Sequence, residues 1–142
     1  MSFSILNRLQ VFAAPLIAPA KTPEQVRAAT TVEKLRQELP ELLAVAVIDI
    51  QTSKTLAAFS CLRELAPARA AVYNVEVVRQ KRRALEALGL ANEKIEDILI
   101  TLREQLHLLR VSQDGQQLLY LVVNTHDTNL AIARTVLRAH SA

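Results

Sequence analysis

Between Ile95 and Val123 three strand-like runs follow one another with almost no chain between them. Ile95-Glu-Asp-Ile-Leu-Ile-Thr-Leu102 is separated from Gln105-Leu-His-Leu-Leu-Arg-Val111 by Arg103-Glu104 alone, and Asp114-Gly115 then leads into Leu118-Leu-Tyr-Leu-Val-Val123. Parallel neighbours need a crossover of about a dozen residues or more, so connections this short make hairpins. Asp-Gly is among the strongest short turn signals for them. This stretch therefore predicts a three-stranded antiparallel meander, and the rest must supply what covers it.

Thr22-Pro23-Glu24-Gln25 predicts a helix start: Thr22 caps, Pro23 suits the first turn and Gln25 has capping-box spacing. The helix runs towards Leu39, because Pro40 disfavours helical geometry at the residue before it. Leu42-Leu-Ala-Val-Ala-Val-Ile-Asp-Ile50 is apolar without alternation and predicts a strand covered on both faces. Gln51-Thr-Ser-Lys54 turns the chain into Thr55-Leu-Ala-Ala-Phe-Ser60, giving another hairpin. A long helix follows from Pro67 to Leu88, closed by Gly89 where a left-handed cap is expected. Thr125 or Asp127 is the expected cap of a last helix whose Leu130, Ala133 and Leu137 share one side. The order is α-β-β-α-β-β-β-α, in one domain over residues 22–142, preceded by an apolar arm over residues 1–21. Ala18-Pro19-Ala20 resembles a signal-peptidase site, but Asn7, Gln10 and Pro15 interrupt the apolar run, so an arm packed on the domain is the favoured reading over a leader or a membrane span.

The Pro67–Leu88 helix carries more apolar surface than one contact requires. At 100° per residue, Ala70, Ala71, Tyr73, Val75, Val77, Val78, Ala84, Leu85 and Leu88 cover an arc of about 200°. Two apolar neighbours are expected for it, with Arg69, Glu76, Arg79, Gln80, Arg83 and Glu86 on a solvated side.

Chemistry is sparse. With two glycines, Gly89 and Gly115, the chain can build neither a phosphate-cradling P-loop nor a dinucleotide fingerprint. His107, His126 and His140 have no ligand spacing, and Cys61, the single cysteine, reads as an ordinary part-buried thiol in a reducing compartment. Asp49 and Asp127 read as a turn residue and a cap. Arg110 is a charge in an apolar strand near its end, which predicts exposure. Arg79, Lys81, Arg82 and Arg83 form a basic run that suits an acidic protein surface. Nucleic acid is not the expected partner, since two tyrosines and three phenylalanines are the only aromatic rings and none interleaves with that run.

The element order, with Ile98-Leu-Ile-Thr101, His107-Leu-Leu-Arg110, Leu118-Leu-Tyr-Leu-Val-Val123, Asn129-Leu-Ala-Ile-Ala-Arg134 and Ala44-Val-Ala-Val-Ile-Asp49, resembles the Roadblock/LC7 family over about residues 31–140. That family usually has glycines before its first strand and in the turn after it, where this chain has Glu41-Leu42 and Gln51-Thr-Ser-Lys54. The resemblance implies an α/β (α+β) fold of three layers, α/β/α, around a five-stranded antiparallel sheet. It also implies a dimer built through the central helix and the neighbouring sheet edge, with Ala71, Val75, Val78, Leu85, Ile98 and Ile100 as interface candidates. Members include dynein light chains, scaffolds for small GTPases and bacterial MglB-like regulators of a Ras-like GTPase. The implied function is a non-catalytic, cytoplasmic regulator or binding partner of a Ras-like GTPase, with a scaffold that leaves GTP hydrolysis unchanged as the alternative. Arg79, Arg82 and Arg83 are the partner-binding candidates, self or a paralogous Roadblock subunit completes the dimer, and neither cofactor, metal nor membrane insertion is expected.

Overall fold

The computed structural model describes residues 21–142, and the arm expected over residues 1–21, like the leader weighed against it, lies outside them except for Lys21. Helix α1 spans Pro23–Glu38 and opens on the expected capping box. Gln25 N donates to Thr22 Oγ1 at 3.1 Å while Thr22 N donates to Gln25 Oε1 at 2.9 Å, so two otherwise orphaned amides satisfy each other's residues. Strands β1 (Ala44–Asp49) and β2 (Thr55–Ser60) follow as a hairpin. In its turn Asp49 accepts from Thr52 N at 3.1 Å, as expected of it, and Ser53 takes a left-handed φ of 62° in a segment where the sequence offers no glycine.

Helix α2 spans Pro67–Ala87, and Gly89 beyond it has a φ of +73°, the left-handed geometry expected there. Strands β3 (Asp97–Thr101), β4 (Gln105–Val111) and β5 (Gln117–Asn124) form the meander, with Gly115 at φ +75° in its second turn. Helix α3 (Leu130–Ala139) starts later than its expected caps. Asn129, not Thr125 or Asp127, accepts from the amides of Ala131 and Ile132 at 2.9 and 3.2 Å. The reason is a local turn: His126 N donates to Asn124 Oδ1 and Thr125 N to the Glu104 carbonyl, which holds residues 125 and 126 out of the helix.

All five strands pair antiparallel in the order β2-β1-β5-β4-β3. Helices α1 and α3 pack on one face against Val45, Val47, Leu108, Leu119 and Leu121, and α2 packs on the other against Ala44, Ala46, Ile48, Leu118 and Val122. The pleat of β1 therefore sends valines one way and alanines the other, and the small side lets α2 approach closely. This is the three-layer α/β/α arrangement. Arg110 departs from expectation: it is 8% exposed, its Nε donating to Ser141 Oγ at 3.3 Å, because the segment after α3 folds back over the end of β4.

Candidate functional site

Helix α2 divides its apolar residues between two environments. Ala71, Val75 and Val78 lie at i, i+4 and i+7 and are completely buried against the helix's own sheet. They are therefore not free to form an interface, contrary to expectation, because the chain covers them itself. The large apolar residues within the helix that are left outside are Val72, Tyr73 and Val77, exposed by 56, 75 and 40%.

Tyr73 and Val77 line a groove of about 790 Å³ whose helix wall continues through Glu76, Gln80, Lys81 and Ala84, and whose other wall is Asp97 and Ile98 of β3. It exists because α2 lies over β1, β2 and β5, leaving Ile98 and Ile100 of β3 and His107 of β4 only partly covered. Of the six expected interface residues, Ile98 lines this groove. Ile100 is half-buried beside the α2-side core, and Leu85 faces a different recess with Arg82, Ile95 and Val111. Tyr73 and Val77 had no separate mark within the wide arc; the small residues Ala44 and Ala46 were the available hint to the inward stripe.

The basic run is split in the same way. Arg79 Nη2 donates to the carbonyls of Ile50 and Gln51 at 2.8 and 3.1 Å, and Arg82 Nη2 to the Gly115 carbonyl at 3.1 Å. Both arginines tie α2 to sheet turns. Arg83 and Lys81 remain exposed.

Beside the groove lies a polar chain absent from the sequence reading. With its proton on Nε2, His107 donates to Gln105 Oε1 at 3.0 Å and accepts at Nδ1 from the Tyr120 hydroxyl at 2.9 Å. Burial holds His107 below the ordinary imidazole value and pushes Tyr120 above the ordinary phenol value, the latter partly offset by Asn74 of α2. The Asn74 Nδ2 is buried without a partner inside hydrogen-bond distance, so this approach is looser than the other two contacts. The remaining histidines lie elsewhere, His126 3.6 Å from Glu104 and His140 2.9 Å from Glu38. Among the described residues no three His, Cys, Asp or Glu side chains are grouped to hold a metal ion, and no helix is long and apolar enough to cross a membrane. Cys61 is exposed, not part-buried, on the loop leaving β2.

No family model and no curated protein matches the sequence. Solved structures do match the fold. Myxococcus xanthus MglB superposes with a TM-score of 0.74 at 10% identity, over 87% of this chain and 89% of that one. A Roadblock/LC7 domain from Streptomyces avermitilis gives 0.68 at 11% identity over 80% and 90%, and the gliding protein MglB of Thermus thermophilus gives 0.62 at 16% over 88% and 98%. The fold of this chain is that of MglB and the Roadblock/LC7 domain.

Proposed function

We propose that the protein is a dimeric, non-catalytic regulator of a Ras-like small GTPase in the cytoplasm. The observation that carries this reading is the groove on α2: an apolar surface rimmed by Glu76 and Lys81, on a fold shared with MglB. An exposed apolar helix face beside a half-open sheet is a protein-binding surface, and a second Roadblock subunit fits it. Another solved MglB, at 16% identity and a TM-score of 0.67, is described as having a tetrameric arrangement, which supports self-association on this fold. In this reading the GTPase brings its own phosphate-binding residues, and the dimer acts by binding one state of its mobile switch segments better than the other. Of the three arginine candidates, Arg83 is the one left exposed on α2 and available to an acidic GTPase surface.

The scaffold reading draws on the other two arginines. Arg79 and Arg82 are committed to backbone carbonyls of their own chain, which removes them as free contributors to a phosphate-transfer site. One assay separates the readings: GTP turnover by a Ras-like GTPase encoded near this protein's gene, with and without the purified chain. A changed rate supports regulation. Binding with an unchanged rate supports the scaffold, and a monomer that binds no GTPase in either nucleotide state removes both.

A further inference from the structure

We infer that residues 11–18 of the chain's own arm add to the sheet as a sixth strand, antiparallel to β2 along its open edge, and bring apolar side chains to the groove at the Phe59 end. This is independent of the dimer and GTPase readings, which concern α2 and the β3 side of the sheet. Among the described residues β2 ends the sheet, with β1 on one side and no strand on the other. Exposed edges are ordinarily blunted by a charge, a proline or a bulge. Thr55-Leu-Ala-Ala-Phe-Ser60 has neither charge nor proline, and its one irregularity, opposite Val47 and Ile48, leaves residues 57–60 in regular register. Every residue of β2 is at least partly exposed, whereas β1 beside it is buried from Ala44 to Ile48. At the far end of the edge Arg36, Pro40, Leu42, Leu43, Phe59 and Cys61 line a groove of about 410 Å³. An uncharged edge that opens into an apolar groove is a template for one more strand.

Direction and length choose the occupant. Helix α1 runs alongside β2 in the same sense: Gln117 Nε2, whose residue pairs with Asp49 near the start of β2, donates to Glu24 Oε1 at 3.3 Å, while Arg36 sits 3.7 Å over the Phe59 ring. The arm therefore joins the domain at the Thr55 end of β2, and a segment leading into it from the Ser60 end runs antiparallel to that strand. From Thr22 to the level of Arg36 is about 21 Å of helix, which about seven extended residues span. Residues 11–14 thus reach the groove, and residues 16–18 lie beside the start of β2. The prolines agree with this path. Pro15 and Pro19 are four apart, so both turn the side that lacks an N–H the same way. With that side towards solvent, where an edge strand tolerates proline, Phe12, Ala14, Leu16 and Ala18 all present N–H and C=O to β2. No residue from Val11 to Ala18 is charged. A segment tethered this closely acts at an effective concentration of about millimolar, which favours it over a separate extended peptide.

The test is amide hydrogen exchange in the full chain, read residue by residue by NMR. The β2 amides that point away from β1 are protected in the wild type. Ala14→Pro removes a donor aimed at β2 and speeds their exchange by about tenfold or more, whereas Ala13→Pro, whose N–H faces solvent, leaves it within about twofold. Amides of β1 and β5 keep their rates in both variants, which shows that the domain stays folded. Outward β2 amides that exchange freely in the wild type, or equal effects of the two prolines, overturn the inference. Cys61, exposed just beyond β2, gives a second readout. Under mild oxidation Ala13→Cys forms a disulfide with Cys61 within one chain faster than either Phe3→Cys or Ala20→Cys, because only position 13 is held near it. A rate that changes steadily from position 3 to position 20 marks an undocked arm, and a link between chains assigns the edge to another copy's arm; either result overturns the inference.

Discussion

Arg79 and Arg83 sit four residues apart in one basic run, yet they should behave as different kinds of residue. Arg79 donates to two carbonyls of the β1–β2 turn, at 2.8 and 3.1 Å, and its side chain is 38% exposed. A hydrogen bond with a charged partner contributes about 1.5–3 kcal/mol when buried, and partial hydration here reduces each to the neighbourhood of 1 kcal/mol. Arg79→Ala therefore costs about 2 kcal/mol, Arg82→Ala, which loses one bond, about 1 kcal/mol, and Arg83→Ala stays within about 0.5 kcal/mol. With a urea dependence of about 1.5 kcal/mol/M, the Arg79→Ala midpoint falls by more than about 1 M. Far-UV circular dichroism at one fixed protein concentration reads this, since self-association raises apparent stability with concentration. Arg79→Lys should fall between, because an ammonium is a point donor without the fork that reaches two acceptors. Equal midpoints for Arg79→Ala and Arg83→Ala would refute the assignment of Arg79 as a tie between helix and sheet.

Stability should also depend on pH through His107. Its folded value lies below the unfolded value of 6.5, so the contribution is complete above 6.5 and declines as pH falls from there towards the folded value. Urea midpoints between pH 7.5 and 5 should show this decline, and His107→Gln should flatten it. Val75→Ala, at a fully buried position, should cost about 2 kcal/mol of stability, whereas Tyr73→Ala, three-quarters exposed, should leave unfolding at low protein concentration unchanged and weaken dimerisation in sedimentation experiments. Asn129→Ala should remove about 1 kcal/mol with the α3 cap, and Ser53→Gly should add about 0.5–1 kcal/mol by relieving a left-handed φ, both visible in thermal melts.

The fold was legible because its strongest constraints are local. Arg103-Glu104 and Asp114-Gly115 leave no room for a crossover, and the capping box at Thr22 and the left-handed Gly89 are set within a few residues. The misses depend on distant partners. Asn129 is the α3 cap because Glu104, 21 residues earlier and just before β4, holds Thr125 in a turn. Arg110 is buried because Ser141, 31 residues later, closes over it. Neither contact leaves a mark in the flanking sequence.

The site was legible in extent but not in assignment, for a geometric reason. An arc of about 200° says that a helix has two apolar neighbours, yet it is symmetric about its middle and does not say which half faces home. That choice belongs to the sheet. The alanines at 44 and 46 accept the Ala71, Val75, Val78 stripe because it is narrow, and seating it there turns Tyr73 and Val77 towards β3. The same rotation brings Arg79 and Arg82 down onto the turns at Ile50 and Gly115. One rotation of one helix thus decides the core, the groove and which cations remain free. Any substitution that enlarges the alanine floor, such as Ala46→Leu, should therefore disturb all three together, and a variant that loses the groove while keeping the Arg79 contacts would break that link.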